Sequence, residues 1–298
     1  MVAPVPTAQQ IAQSPLYFEE TGAGDPLVCL HGFGASTYTW RDVMPSLAAA
    51  HKVYALDLKG HGRSPKPEDG RYAVADHAAL VLQFIADHNL PSVTLVGHSF
   101  GGGVALSVAV ELEKSRPGVL KSLILIDAAA YRQRLPAFIR VLRTPVFGPI
   151  IQRVVPVRAQ VKNVLKLAYY NDDRVPQASI DAYAAALRLP GGRYALRETA
   201  KEIVPGDIDD VSAGYATIRA PTLLVWARHD AIIPLSIGER LRQAIPNSRL
   251  VIVENAGHQV HEESPAEVRK AIDAFLIAEG LVTSSAVPAS PSRTYPLR

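Results

Sequence analysis

The chain has 298 residues, 48% of them hydrophobic, with 31 basic side chains against 28 acidic ones. That supplies a large core, in one elaborated domain or two small ones, and the near-neutral balance without an interleave of basic and aromatic residues excludes a nucleic-acid surface. The single cysteine, Cys29, cannot close an internal disulfide and lies in an apolar run, so a buried inert thiol, compatible with a cytoplasmic location, is expected.

Met1 to Pro15 has neither a basic start nor an apolar middle and does not read as a signal peptide. No run is long enough to span a bilayer. Leu16 to Glu20 reads as a short strand and Thr21 to Pro26 as a turn. Leu27 to Leu30 is a buried strand that runs into the glycine-rich loop His31-Gly32-Phe33-Gly34. A helix from about Tyr38 to Ala49 would place Trp40, Val43, Met44 and Leu47 on one face. The strand Val53 to Leu56 ends at Asp57, and a second glycine-rich turn, Leu58 to Pro65, follows.

An amphipathic helix spans about Val74 to His88 and is closed off by Pro91. Then comes Val93-Thr94-Leu95-Val96-Gly97-His98-Ser99-Phe100-Gly101-Gly102-Gly103, an apolar strand, an abrupt turn and a helix start. Ser99 stands at the turn, and Gly97 and Gly101 give a strained backbone the room to pass from strand to helix in one residue. The helix runs to about Lys114, and Leu123 to Ile126 is a strand ending at Asp127.

From Tyr131 to about Gly214 the strand–helix rhythm breaks into helical patterns cut by seven prolines, which reads as an inserted helical cap. Between Tyr131 and Asn171 it carries Arg132, Arg134, Arg140, Arg143, Arg153, Arg158, Lys162 and Lys166 and no acidic residue. Such a run reads as a solvated basic face, or as a surface that associates weakly with anionic lipid or attracts anionic substrates. The rhythm returns with strand Thr222 to Trp226, a helix from about Ser236 to Ala244, strand Leu250 to Val253 and a helix from about Pro265 to Ala278. The Ser-, Pro- and Ala-rich end reads as a disordered tail. The expected division is therefore a core of 16–130 and 215–280, a cap of 131–214 and a tail of 281–298.

Alternating strands and helices build a mostly parallel sheet with helices on both faces, and ligands gather at the carboxyl ends of its strands. The Phe33 loop, Asp57, Ser99 and Asp127 all fall at such ends. A serine hydroxyl needs a base and the base needs an orienting acid. Of nine histidines, His258, in the small-residue loop after Leu250–Val253, is the candidate base. His261, three residues on, reads as a helix-entry residue pairing with Glu262 or solvent, and His98 and His229 should point elsewhere. Asp230 is the candidate acid and Asp127 its rival, while Asp57 reads as a brace for the turn at Gly60–Gly62. The Phe33 and Phe100 backbone N–H groups are the candidate oxyanion donors. No His/Cys cluster has zinc spacing, so neither metal nor cofactor is expected.

Ser99, Asp230 and His258 in this order, with the His31–Gly34 loop, the Asp57–Ser64 turn, the elbow Gly97–Gly102, Pro234 after Asp230, and Gly257 before His258, resemble an α/β-hydrolase fold enzyme over about residues 16–280. The resemblance implies a serine carboxylester hydrolase acting on a small-molecule ester or acyl substrate, as a monomer or dimer. Haloalkane dehalogenases and epoxide hydrolases of this fold use an aspartate where Ser99 stands. Hydrolases of C–C bonds in ring-cleavage products are the alternative, although they often carry an aromatic residue where this chain has Gln259. Cofactor-free haloperoxidases and some ligand receptors share the same three residues.

Overall fold

The computed structural model describes residues 16–282. Its strands are β1 (Phe18–Thr21), β2 (Asp25–Leu30), β3 (His51–Leu56), β4 (Val93–His98), β5 (Leu120–Ile126), β6 (Thr222–Ala227) and β7 (Ser248–Val253). They form one sheet in the order β1-β3-β2-β4-β5-β6-β7, with β1 antiparallel to β3 and all other neighbours parallel. A strand buried on both faces must be apolar at odd and even positions alike. Val28, Leu30, Leu95, Leu125 and Trp226 accordingly enter one core, and Leu27, Cys29, Val96, Ile124 and Val225 the other. Burial also raises the Cys29 thiol far above its usual range, which keeps it protonated and inert.

The helices before β5 are α1 (Met44–Leu47), α2 (Val74–Asp87) and α3 (Phe100–Ser115). The expected helix over 38–49 is not continuous: a 3-10 turn at Thr37–Trp40 precedes α1. Asp57 Oδ1 accepts the Thr37 N–H at 2.7 Å, and Pro45 offers no N–H to the turn before it. Between β5 and β6 lie α4 (Ala137–Leu142), α5 (Phe147–Val154), α6 (Val157–Ala168), α7 (Gln177–Arg188), α8 (Gly192–Lys201) and α9 (Ile208–Ala213), with no strand among the described residues there. Val157, Val161 and Leu165 of α6, at a helical spacing of four, pack on Ile180, Tyr183 and Ala184 of α7. The chain ends in α10 (Leu235–Ala244), α11 (Val260–Glu263) and α12 (Pro265–Ala278). Of the expected tail, Leu281 and Val282 pack beside α12, where Leu281 N–H donates to Leu276 O at 2.8 Å. Residues 1–15 and 283–298 lie outside the described residues.

Two adjacent acids of α11 join the inserted helices to the sheet. The buried Glu262 carboxylate accepts from Thr39 Oγ1 (2.7 Å), Tyr183 OH and Tyr169 OH (3.3 Å), and pairs with Arg41 Nη2 at 2.9 Å. Glu263 accepts N–H groups from Tyr170, Asn171 and Gly257, so one carboxylate holds both the inserted segment and the loop before His258. Glu262→Ala is expected to cost about 3 kcal/mol, because it strands Arg41 and two phenols, with the partial exposure of Arg41 keeping the loss at the low end. A urea midpoint measures it, and Glu262→Gln, which keeps the hydroxyl bonds, should lose less.

Candidate active site

Ser99 is built into the passage from β4 to α3. Its φ of +53° with ψ of −121° lies in a region costly for a side chain with a Cβ, by about 1–3 kcal/mol. The conformation is held from both sides: Ser99 N–H donates to Ile126 O at 3.0 Å, and Ala129 N–H donates to Ser99 O at 2.9 Å. The flanking glycines are required by space. A Cβ on Gly97 would lie 2.6 Å from Gly101 O, and one on Gly101 only 2.3 Å from Leu30 O.

From this turn a continuous hydrogen-bonded line runs inward. Ser99 O–H donates to His258 Nε2 at 2.8 Å, and His258 Nδ1–H donates to Asp230 Oδ2 at 2.7 Å. Asp230 Oδ1 accepts the N–H groups of Ile232 (2.6 Å) and Ile233 (2.8 Å), which fix the carboxylate's rotation. All three side chains are at most 9% exposed, so water competes little for these bonds. The three come from the ends of β4, β6 and β7, the edge at which a parallel sheet gathers ligands. The arrangement can pass a hydroxyl proton to the imidazole while holding the tautomer that accepts it.

Phe33 and Phe100 both line the cleft over Ser99. The Phe33 N–H makes no hydrogen bond among the described residues, and Phe100, as the first residue of α3, has no intrahelical acceptor. His31 positions the first of these loops: its Nδ1–H donates to Gly32 O at 2.8 Å, and its Nε2 accepts the Leu58 N–H at 3.0 Å. Burial lowers its pKa to about 4, so the ring stays neutral and can serve both bonds. Asp57 acts as the brace its place suggested, accepting the N–H groups of Thr37 and Arg63 at 2.7 Å each.

Three neighbours depart from the sequence reading or escape it. His261 meets neither solvent nor Glu262 directly. It is fully buried, with Nε2 at 2.7 Å from Thr39 Oγ1, and burial lowers its pKa to about 3. His98 does not reach the Ser99 hydroxyl, but its Nε2–H donates to the His258 backbone O at 2.9 Å and so fixes the loop that carries His258. A polar residue at the end of an apolar strand, next to Ser99, was its only signal. Asp127 sits beside Asp230 but outside the line: its Oδ1 accepts the Ala227 N–H at 2.8 Å, and its Oδ2 meets no donor. Burial, then the Asp230 charge, push its carboxyl well above the usual range.

One group, His98, Asp127 and His258, brings three possible metal-ligating atoms within 4.8 Å of one another. His98 Nδ1 and Asp127 Oδ2 meet no partner, but both His258 nitrogens are committed to Ser99 and Asp230, so the group lacks a third free donor.

The cleft above Ser99 has ≈ 1010 Å³ of open space, its mouth included. Phe33, Phe138, Ile139, Val164, Ile203 and Ile232 supply much of its wall, and no Asp, Glu, Lys or Arg among the described residues lines it. Gln133 and Gln259 each place a buried oxygen there without a donor. The alpha/beta hydrolase fold model matches residues 25–265. The chain belongs to that family. It is, with the family, an enzyme of the hydrolase class. This hydrolase is 30% identical over 84% of its length to the uncharacterized hydrolase YugF of Bacillus subtilis, covering 89% of that protein. It is 29% identical to the 2-hydroxymuconate semialdehyde hydrolase of Pseudomonas sp. (strain CF600), over 86% of this chain and 88% of the relative. A thermophilic esterase from Thermogutta terrifontis superposes with a TM-score of 0.74 at 25% identity, over 89% of this hydrolase and 93% of the esterase. No helix among the described residues is long and apolar enough to cross a membrane.

Proposed function

We propose that this hydrolase cleaves carboxylic esters of apolar acids through an acyl-enzyme on Ser99. Ser99 Oγ attacks the ester carbonyl as His258 Nε2 takes its proton. Asp230 keeps the other imidazole proton on Nδ1 and stabilises the imidazolium. The Phe33 and Phe100 N–H groups receive the oxyanion, and losing one such donor typically costs about 3 kcal/mol of transition-state stabilisation. His258 returns the proton to the leaving alcohol, then activates the water that releases the acid. The reaction calls for neither metal nor cofactor. The inserted helices act as a cap whose apolar side chains receive the acyl chain, and a cytoplasmic monomer or dimer suits a chain with one buried thiol.

The uncharged cleft carries the choice of ester over C–C bond. Relatives include 2-hydroxy-6-oxo-2,4-heptadienoate hydrolase, 28% identical over 87% of this chain. A dienoate brings a carboxylate, which would enter this cleft without an Arg or Lys to pair it, at a cost of several kcal/mol. The C–C reading keeps the support of these relatives' names alone.

The test is a panel of p-nitrophenyl esters from acetate to long acyl chains, run beside one ring-cleavage dienol. Ester turnover that rises with acyl length until the cleft is filled is the expected result. Bleaching of the dienol at rates above those on every ester would overturn the reading.

A further inference from the structure

We infer that α5 is a docking face for an anionic lipid surface, which would seat the chain beside the mouth of its cleft. In a water-soluble chain a helix normally turns its apolar residues inward. Here Val146, just before α5, and Phe147, Ile150 and Val154 within it are all exposed, Phe147 by 64% and Val154 by 73%. At helical spacing the four fall within an arc of about 100°. The opposite side of α5, at Gly148 and Gln152, is the buried one, and Gln152 donates to Arg193 O of α8. The exposed arc is therefore a second apolar face that the fold leaves uncovered.

Its surroundings are of one sign. Arg140 is an exposed residue of α4, which packs against α5, Arg143 follows that helix and is exposed too, and Arg153 borders the arc on α5 itself. All three are exposed and make no ion pair among the described residues, nor does Arg193 on α8. The acid of α8, Glu198, is taken by Lys201 and Arg197. Exposed apolar side chains with unpaired cations on the same and the adjoining segments complement a surface whose outer layer is anionic and whose interior is apolar. A second copy of the chain does not complement it, because two such faces set together would place arginine against arginine.

The face is next to the cleft. Phe138 and Ile139 of α4 line it, while Arg140 of the same helix and Arg143 just after it are exposed. A chain seated through α4 and α5 would meet lipid-borne ligands at the cleft without their crossing bulk water. Binding itself is independent of the ester reading and can be read without turnover.

The experiment is co-sedimentation of the full chain with vesicles of phosphatidylcholine alone, or with about 30 mol% phosphatidylglycerol, at low and high salt. The expected partition onto anionic vesicles is about tenfold above that onto neutral ones and falls with salt. Phe147→Glu with Ile150→Glu should abolish it, and Arg140→Ala with Arg143→Ala and Arg153→Ala should reduce it to the neutral level. All these side chains lie outside the cleft, so turnover of a short soluble ester should be unchanged. Ser99→Ala should bind as the wild type does, which separates a failure here from a failure of the proposed chemistry. Equal partition onto both vesicle types, or binding indifferent to the Glu substitutions, overturns the proposal. So does a dimer that dissociates in the Phe147→Glu, Ile150→Glu variant while vesicles go unbound.

Discussion

Ser99→Ala is expected to lower kcat/KM on a p-nitrophenyl ester by about 10⁴–10⁶ while leaving the fold intact. The substitution removes one oxygen and keeps the Cβ, so the strained turn at φ +53° and its backbone bonds to Ile126 and Ala129 persist. What goes is the atom at 2.8 Å from His258 Nε2. The Phe33 and Phe100 N–H groups and the apolar cleft stay in place, and such groups sustain a residual rate above that of water when the nucleophile is gone. The variant should therefore still bind the ester and show no burst of nitrophenol. An unchanged melting temperature with a loss of several decades assigns the nucleophile. A loss under tenfold would mean that His258 drives water directly onto the ester, and a fluorophosphonate probe that still labelled the variant would place the nucleophile elsewhere.

How much of this was legible in the sequence depends on the range over which each feature is determined. The central strands were readable because they are apolar on both faces: runs such as Leu27–Leu30 and Thr222–Trp226 leave little else open. The turn at Ser99 was readable because its requirement is local, two glycines that the chain's own backbone leaves no room to replace. His258 and Asp230 were reachable because each follows a strand, and parallel strands bring their ends to one edge. The joins between layers were not readable. Glu262 touches Thr39, Tyr169, Tyr183 and Arg41, partners up to 223 positions away, and nothing in the short Val-His-Glu-Glu segment marks Glu262 as buried. The histidines behaved alike: His98 and His261 are assigned by what packs over them, which is set by chain folded from elsewhere. The broken helix at 38–49 was a local error, since Pro45 stood inside the apolar pattern that suggested a continuous helix.

The sharpest contrast is expected between two aspartates that end neighbouring strands. Asp230→Asn should lower kcat by about 10⁴, with the fold retained. The carboxamide oxygen would be drawn to the Ile232 and Ile233 N–H groups, which turns its NH₂ toward His258 Nδ1. That nitrogen must then accept, the ring proton moves to Nε2, and Nε2 can no longer take the Ser99 proton. Asp127→Asn should change kcat by less than about threefold, because an amide reproduces a neutral acid there: its oxygen accepts the Ala227 N–H and its NH₂ faces Asp230. The pH dependence of stability gives a second readout. The Asp127 pKa is raised on folding, by burial first and by Asp230 next. Below about pH 4 both folded and unfolded chains hold this proton, and the group costs nothing. As pH rises past that point the unfolded chain releases the proton first, so the wild type loses stability until the folded pKa is passed. Asn carries no such penalty, and the melting temperature of Asp127→Asn relative to wild type should climb as pH rises above about 4. A relative fall over that range would show that Asp127 is the stabilised anion. A tenfold or smaller loss in Asp230→Asn would make Asp127 the acid that orients His258.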